Sequence, residues 1–159
     1  MTTNSTLKAM SSLVGAWTTE ATHPMVPGVI VHGSATIEWL EGKRFLIIRA
    51  RTDHPDFPDS ISILGFMEAD RVDEDGGLAS DAGGTPGLRM HYFDSRGVFR
   101  VCEASVDATS WRWWRDAPGF SQRFTGTFAD DGRTIVGRSQ LRREDDWADD
   151  LAITYRRED

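Results

Sequence analysis

The amino-acid sequence predicts an all-β protein, an antiparallel up-and-down β-barrel of about ten strands preceded by one short helix. Three observations lead to this prediction. After residue 15, short segments rich in β-branched and aromatic residues alternate with turn signals at regular spacing. Glycine is frequent, at 15 residues, and it marks turns and bends in strands. A closed barrel is favoured over an open sheet because closure removes exposed strand edges.

The elements follow in chain order from local patterns. Apolar residues recur at helical spacing within 6–14, which predicts a short helix or 3₁₀ turn. The segment at about 70–87 is acidic and then glycine-rich, and we expect a flexible loop there because strands resume on both sides. The whole chain, 1–159, is therefore expected to form a single domain. Strands are expected at 15–22, 29–40, 44–52, 60–68, 88–93, 98–106, 110–116, 121–129, 134–143 and 151–157.

Composition and charge narrow the classes of function. With a net charge of −7, the chain repels phosphate backbones, so nucleic acid is not an expected partner unless basic residues cluster on one face. No apolar stretch approaches the roughly 20 residues that cross a bilayer, and residues 1–17 lack a signal-peptide pattern, so the cytoplasm is the expected location. The single cysteine, Cys102, excludes an internal disulfide and is expected to be a packed, unreactive thiol. The sequence leaves open whether the chain forms a homodimer.

The stretch LVGAW at 13–17 follows the predicted helix and opens the first predicted strand. In that position it resembles the G-x-W signature of the calycins, the superfamily of lipocalins, fatty-acid-binding proteins and nitrobindin-like barrels. Glycine lets the strand bend where the barrel closes, and Trp17 is expected to plug the barrel floor. A closer resemblance is to an uncharacterised bacterial group of small calycin-like proteins of unknown function, carried by HPDFPDSISILGF (54–66), MHYFDSRGVFRV (90–101) and WRWWRDAPGFSQRFTGTFADDGRTIVGR (111–138). This resemblance implies the fold but no established activity.

The expected function is binding of a small hydrophobic or amphipathic molecule in an internal cavity, because barrels of this size can enclose a ligand. Strand alternation places Trp111, Trp113 and Arg115 on one face, and we expect that face to look inward. The resemblance to fatty-acid-binding barrels implies that an interior arginine and a tyrosine grip a carboxylate. The residues expected at the ligand site are Trp39, Arg49, Tyr92, Trp111, Trp113, Arg115 and Tyr155.

An alternative function is a cofactor-independent enzyme, an isomerase or cyclase that acts on a hydrophobic metabolite in the same cavity. Such an enzyme needs a shaped cavity and one positioned acid–base group. The candidates lie in the middle of predicted strands: His32, Glu38, His91 and Glu103. Where both faces of a strand carry large groups, the pattern leaves open which face points inward.

Haem or nitric-oxide binding is a third interpretation, which the resemblance to nitrobindin-like barrels suggests. Those barrels hold haem through a histidine late in the chain, whereas all four histidines here precede residue 92. The loop 53–59 contains three aspartates and a histidine, but its two prolines account for it as a stiff loop, and no metal is expected. No cofactor is expected either, since the sequence has no GxGxxG, P-loop, zinc or GxSxG pattern.

Overall fold

A computed structural model describes residues 3–66 and 87–159 of the chain. Within these residues, one helix precedes ten antiparallel strands that pair in chain order, and the first strand pairs with the last to close a barrel. The predicted all-β, up-and-down barrel with a short N-terminal helix is therefore confirmed. The elements are α1 (Thr3–Ser11), β1 (Gly15–Thr22), β2 (Val31–Trp39), β3 (Phe45–Thr52), β4 (Ser60–Phe66), β5 (Leu88–Asp94), β6 (Phe99–Val106), β7 (Ser110–Arg115), β8 (Ser121–Ala129), β9 (Thr134–Arg142) and β10 (Trp147–Arg157).

The largest difference from the predicted boundaries is in β10. The strand begins at Trp147 rather than at residue 151, because Trp147 already pairs with Arg142 on β9. A register shift between Asp149 and Ala152 then breaks the alternation that would mark a strand in the sequence. The loop expected at about 70–87 lies outside the described residues up to residue 86.

One end of the barrel, which we call the floor, is closed by α1 and the start of β1. Met10, Leu13 and Trp17 are fully buried there, and the Trp17 indole Nε1 donates a hydrogen bond of 3.0 Å to the Leu13 carbonyl oxygen. The Arg157 guanidinium lies over the Trp17 ring, 4.1 Å from its centroid. Trp17 thus occupies the position that the G-x-W pattern predicts. Among the described residues, no helix is long and apolar enough to span a membrane.

Above the floor, the inner face of the strands is packed with aliphatic side chains that are at most 1% exposed: Leu46, Leu64, Leu88, Val106 and Ile135. Because successive strands run in opposite directions, the connections at 23–30, 53–59, 95–98, 116–120 and 143–146 all lie at the other end of the barrel. We call that end the mouth. The lower half of the interior is therefore solid, and any space for a ligand lies between it and the mouth.

Candidate functional site

The tryptophan-rich strand β7 contributes two large rings to the interior, or lumen, of the barrel. Trp111 pairs with Gly126 and Trp113 pairs with Phe124, all on the inner face. The Trp113 ring stacks on the Phe124 ring at 5.5 Å with an angle of 13° between their planes. Strand alternation turns the neighbouring side chain of Trp114 outward, where the Arg112 guanidinium lies 5.5 Å from its ring centroid. The strand thus has an aromatic inner face and a mixed cationic and aromatic outer face.

Two glycines make room for this aromatic cluster. Gly126 and Gly137 pair with each other across β8 and β9 on the inner face. A Cβ atom on Gly137 would lie 2.7 Å from Cε1 of the Phe124 ring, and one on Gly126 would lie 2.9 Å from the Ile135 side chain. The absence of side chains at both positions is therefore what lets the Phe124 ring lie flat against the wall.

The upper part of the lumen retains accessible surface. Tyr155 faces inward and its ring lies between those of Trp17 and Trp111, at 6.3 and 6.1 Å, yet it is partly exposed. Its cross-strand neighbours Thr19 and Ile135 are buried, so this surface is not reached through the wall or the floor. Further inner-facing side chains with partial exposure are Thr52, Tyr92, Trp113 and Gln122.

Two arginines project from the inner face at the mouth. Arg115 donates a hydrogen bond of 3.2 Å from Nη1 to the Phe120 carbonyl oxygen, and the Arg100 guanidinium lies 5.3 Å from the Phe120 ring centroid. Within the described residues, neither guanidinium has a carboxylate at ion-pairing distance. Both guanidinium groups lie against Phe120 in the connection 116–120 at the mouth, in a chain whose net charge is −7. This is the feature of the interior that ordinary barrel packing explains least.

Cys102 lies on the inner face below this arginine pair and is 2% exposed. Burial raises the pKa of its thiol to about 11, although the charges of Arg115 and Arg100 act in the opposite direction. The thiol therefore stays protonated at neutral pH and is a packed group rather than a nucleophile.

The two tyrosines of the lumen differ in what their hydroxyl groups can do. The Tyr92 hydroxyl donates to Oδ2 of Asp94 at 2.7 Å, and Arg96 donates to the same carboxylate. Burial would raise the Asp94 pKa, but the hydrogen bonds from Arg96 and Tyr92 outweigh it and hold the pKa well below its usual range. Because the Tyr92 hydroxyl already donates its hydrogen bond to Asp94, it is not free to donate to a ligand. Its expected role as a ligand anchor is limited to its ring.

Tyr155 and Trp111 instead supply donors without acceptors. The Tyr155 hydroxyl has no hydrogen-bond partner among the described residues, and burial raises its pKa to about 12, so it stays protonated. The Trp111 indole Nε1 is buried and also finds no acceptor among those residues. An unsatisfied buried donor costs about 1–3 kcal/mol. The lumen therefore contains two donors, from Tyr155 and Trp111, that have no acceptor among the described residues.

The residues expected to supply acid–base chemistry lie on the outer wall instead of in the lumen. His32 and Glu38 are exposed on β2, and Glu38 accepts a hydrogen bond of 2.8 Å from Nη1 of Arg49 on β3. The same contact places Arg49 outside the lumen, which corrects its expected place at the ligand site. The physical reason is strand parity: the buried side chains of β2 and β3 occupy the alternate positions.

His91 and Glu103 are placed on the outer wall by the same rule. His91 pairs with Val101 and packs edge-on to the Phe99 ring at 6.0 Å, while Met90 on the same strand faces inward. Burial lowers the His91 pKa, and its Nε2 has no partner among the described residues. Glu103 pairs with Trp114, whose side chain also points outward. Of the remaining expected ligand residues, Trp39 faces inward but lies beside Leu46 near the floor.

The mouth is held together by a contact that sequence reasoning did not find. His23 Nε2 lies 2.5 Å from Oδ1 of Asp150, which ties the end of β1 to the bulge in β10. The Met25 backbone N–H donates to the other ring nitrogen, His23 Nδ1, at 3.1 Å. Because both nitrogens are engaged, this pair is a structural link and has no free nitrogen to act as a base. Residues 127 positions apart carry no local sequence signal for such a contact.

The polar side chains of the loop 53–59 form hydrogen bonds with backbone groups of the loop and of β2. Asp53 accepts from the His32 backbone N–H, and His54 Nδ1 accepts from the Asp56 backbone N–H. In the part of the chain that the structure describes, no three metal-ligating side chains come together.

Two depressions lie on the outer wall: one of about 400 Å³ beside Arg51, Ile61 and Phe93, and one of about 190 Å³ beside Ile30 and Val136.

The fold and site define a closed ten-stranded β-barrel with a plugged floor and two inner-face arginines near the mouth. No family model matches the chain. No curated protein matches it either. Among solved structures, it is similar to a redesigned β-barrel, with a TM-score of 0.40 and 10% sequence identity over 95% of this chain and 96% of the other. The barrel closure follows from the strand pairing of the chain itself, and a similarity at this level adds nothing to it.

Proposed function

We propose that the barrel binds a small amphipathic molecule in the upper lumen, with an anionic group at the mouth and an apolar body inside. The observation that carries this proposal is the pair Arg100 and Arg115, two inward-facing cations without a carboxylate partner among the described residues. A ligand anion would supply the missing countercharge through charge-assisted hydrogen bonds. Calycin membership remains the prediction made from the G-x-W pattern.

The side chains below the arginines fit the apolar part of such a ligand. Trp113 offers partly exposed aromatic surface on the inner face. Tyr155 adds a hydroxyl that is free to donate, deeper than the arginine pair. Sites of this composition, mostly apolar with a few convergent polar groups, are typical of small-molecule binding.

The alternative functions have less support. All four histidines are described, and none of them faces the lumen: His23 and His54 belong to the mouth loops, and His32 and His91 face outward. An axial haem ligand from histidine inside the barrel would need one there. The acid–base candidates for an isomerase or cyclase also face outward, and the inner thiol of Cys102 is protonated.

The test compares a medium-chain fatty acid with the alcohol of the same chain length, using isothermal titration calorimetry. The wild-type chain should bind the acid more tightly. The double variant Arg100→Gln, Arg115→Gln should weaken acid binding by about tenfold to a hundredfold and leave the alcohol unchanged, since only the charged contacts are lost. The control Arg51→Gln, on the outer wall of β3, should behave like the wild type. Failure of both probes to bind, or equal acid binding by the double variant and the wild type, would refute the proposal.

A further inference from the structure

The outer wall of β7–β9 carries a cluster of arginines. Arg112, Arg123 and Arg138 are exposed there and Arg142 is partly exposed. Arg112 and Arg138 both pair with Thr125 on the strand between them, so their Cα atoms are about 10 Å apart. None of the four has a carboxylate within ion-pairing distance among the described residues. We call these four residues the arginine wall.

Aromatic contacts hold part of this wall in place. The Arg123 and Arg142 guanidinium groups lie over the Trp147 ring, 3.9 and 4.9 Å from its centroid. Arg123 also donates two hydrogen bonds, of 2.8 and 2.6 Å, to Oε1 of Gln140. Side chains positioned in this way lose little conformational freedom when they bind an anion.

Acidic residues, whose charge is opposite to that of the arginine wall, lie at the adjacent turn between β9 and β10. Glu144, Asp145 and Asp146 are exposed, and they form no ion pair or side-chain hydrogen bond with the described residues. We call these three residues the acidic turn. Arg143 is next to the turn in sequence but lies 5.6 Å from the Phe120 ring centroid, and Arg142 before it is directed onto the Trp147 ring. Within one chain, the arginine wall and the acidic turn therefore do not neutralise each other.

We infer that the chain forms a two-fold symmetric dimer in which the arginine wall of each copy binds the acidic turn of the other. Arg138 lies four residues before Arg142, the end of β9, which is about 13 Å along the strand, and the acidic turn begins two residues further on. A two-fold axis that lies parallel to the wall and perpendicular to its strands turns the two walls to face each other and reverses the strand direction, so it places each turn over the partner's arginines. The contact is then self-complementary, as a closed dimer requires.

A second copy fits this wall better than a nucleic acid does. The Trp147 ring is already covered by two guanidinium groups, which disfavours stacking of a base on it. Carboxylates also border the wall: Asp149 accepts a hydrogen bond from Gln140, and Glu103 faces outward on β6. With a net charge of −7, the whole chain would repel a long polyanion.

The experiment measures oligomeric state by sedimentation velocity, first at low and then at high salt. The wild type should be dimeric at low salt, and its dissociation constant should rise about tenfold or more in high salt because the contact is electrostatic. Two charge-reversal variants test the pairing: Arg112→Glu with Arg138→Glu, and Asp145→Lys with Asp146→Lys. Each variant alone should be monomeric, since like charges then meet. An equal mixture of the two should form heterodimers, because both contacts become attractive again.

Several outcomes would overturn the inference. They are a wild type that stays monomeric at low salt, reversal variants that dimerise like the wild type, or a mixture that remains monomeric. A monomeric wild type that binds a single-stranded oligonucleotide would assign the wall to a polyanion instead. Arg51→Glu, an exposed reversal on the opposite side of the barrel, is the matched control and should leave the dimer intact. Circular dichroism should show the same β-barrel spectrum for every variant, since all the changes are on the surface.

Discussion

Arg157→Ala is expected to destabilise the barrel substantially, because the Arg157 side chain joins several backbone segments at the floor. Its guanidinium donates to the carbonyl oxygens of Val14 at 2.5 Å, Ser12 at 2.7 Å and Gly132 at 3.3 Å, and it covers the Trp17 ring. A hydrogen bond from a charged donor contributes about 1.5–3 kcal/mol, and a cation–π contact about 0.5–2 kcal/mol. Since Arg157 is partly exposed, the lower values apply, and we expect a loss of about 2–4 kcal/mol.

The assay is urea denaturation followed by tryptophan fluorescence, together with thermal melting. For a chain of this length, the expected loss corresponds to a decrease in Tm of roughly 5–15 °C. Arg156→Ala is the matched control. Arg156, the neighbour of Arg157 on β10, points outward and makes only a 3.7 Å surface contact with Glu20, so its removal should lower the free energy of unfolding by less than about 1 kcal/mol. If both variants unfolded at the same urea concentration, the floor contact would not stabilise the fold as argued.

Two further predictions concern the lumen. Gly137→Ala should destabilise the protein by about 1–3 kcal/mol, because the new Cβ would lie 2.7 Å from the Phe124 ring, and adding Phe124→Leu should recover part of that loss in the same denaturation assay. A Gly137→Ala variant as stable as the wild type would contradict this. Both tyrosines should ionise late, since burial raises the pKa of Tyr155 to about 12 and burial with the Asp94 hydrogen bond raises that of Tyr92. The contribution of Tyr155 to stability is fully present below pH 10 and is lost as the pH rises from 10 toward 12, and that of Tyr92 persists to higher pH; tyrosinate absorbance of the folded protein at pH 10 would refute the assignment.

Much of the architecture could be predicted because it depends on local pattern. The alternation of β7 predicted that Trp111 and Trp113 share a face with Arg115, and the structure places all three on the inner face. The strand positions followed from short apolar segments between turns, within a few residues at each end. β10 was the exception, because its bulge and its acidic first half conceal a strand that is held by pairing with β9.

The candidate site was harder to predict because a shift of one residue reverses every side chain. His32 and Glu38 alternate with Val31 and Ile37, and only the buried aliphatic set reveals which face is inner. On β6 the small residues Cys102 and Ala104 mark the inner face, and with them Arg100, but the neighbouring Val101 made the pattern ambiguous. The missing information was how each strand is rotated against its neighbours.

The sequence by itself determined the class of fold, the short helix, the strand order and the tryptophan at the floor, because strand alternation, turn residues and glycine positions act locally. Only the tertiary structure decided which charges meet. It brought Arg100 and Arg115 together at Phe120 with no carboxylate at ion-pairing distance among the described residues, and it engaged the Tyr92 hydroxyl with Asp94. It also gathered Arg112 and Arg138 from separate strands onto one outer wall. These arrangements depend on register between strands that are distant in the chain, and a local pattern does not encode that register.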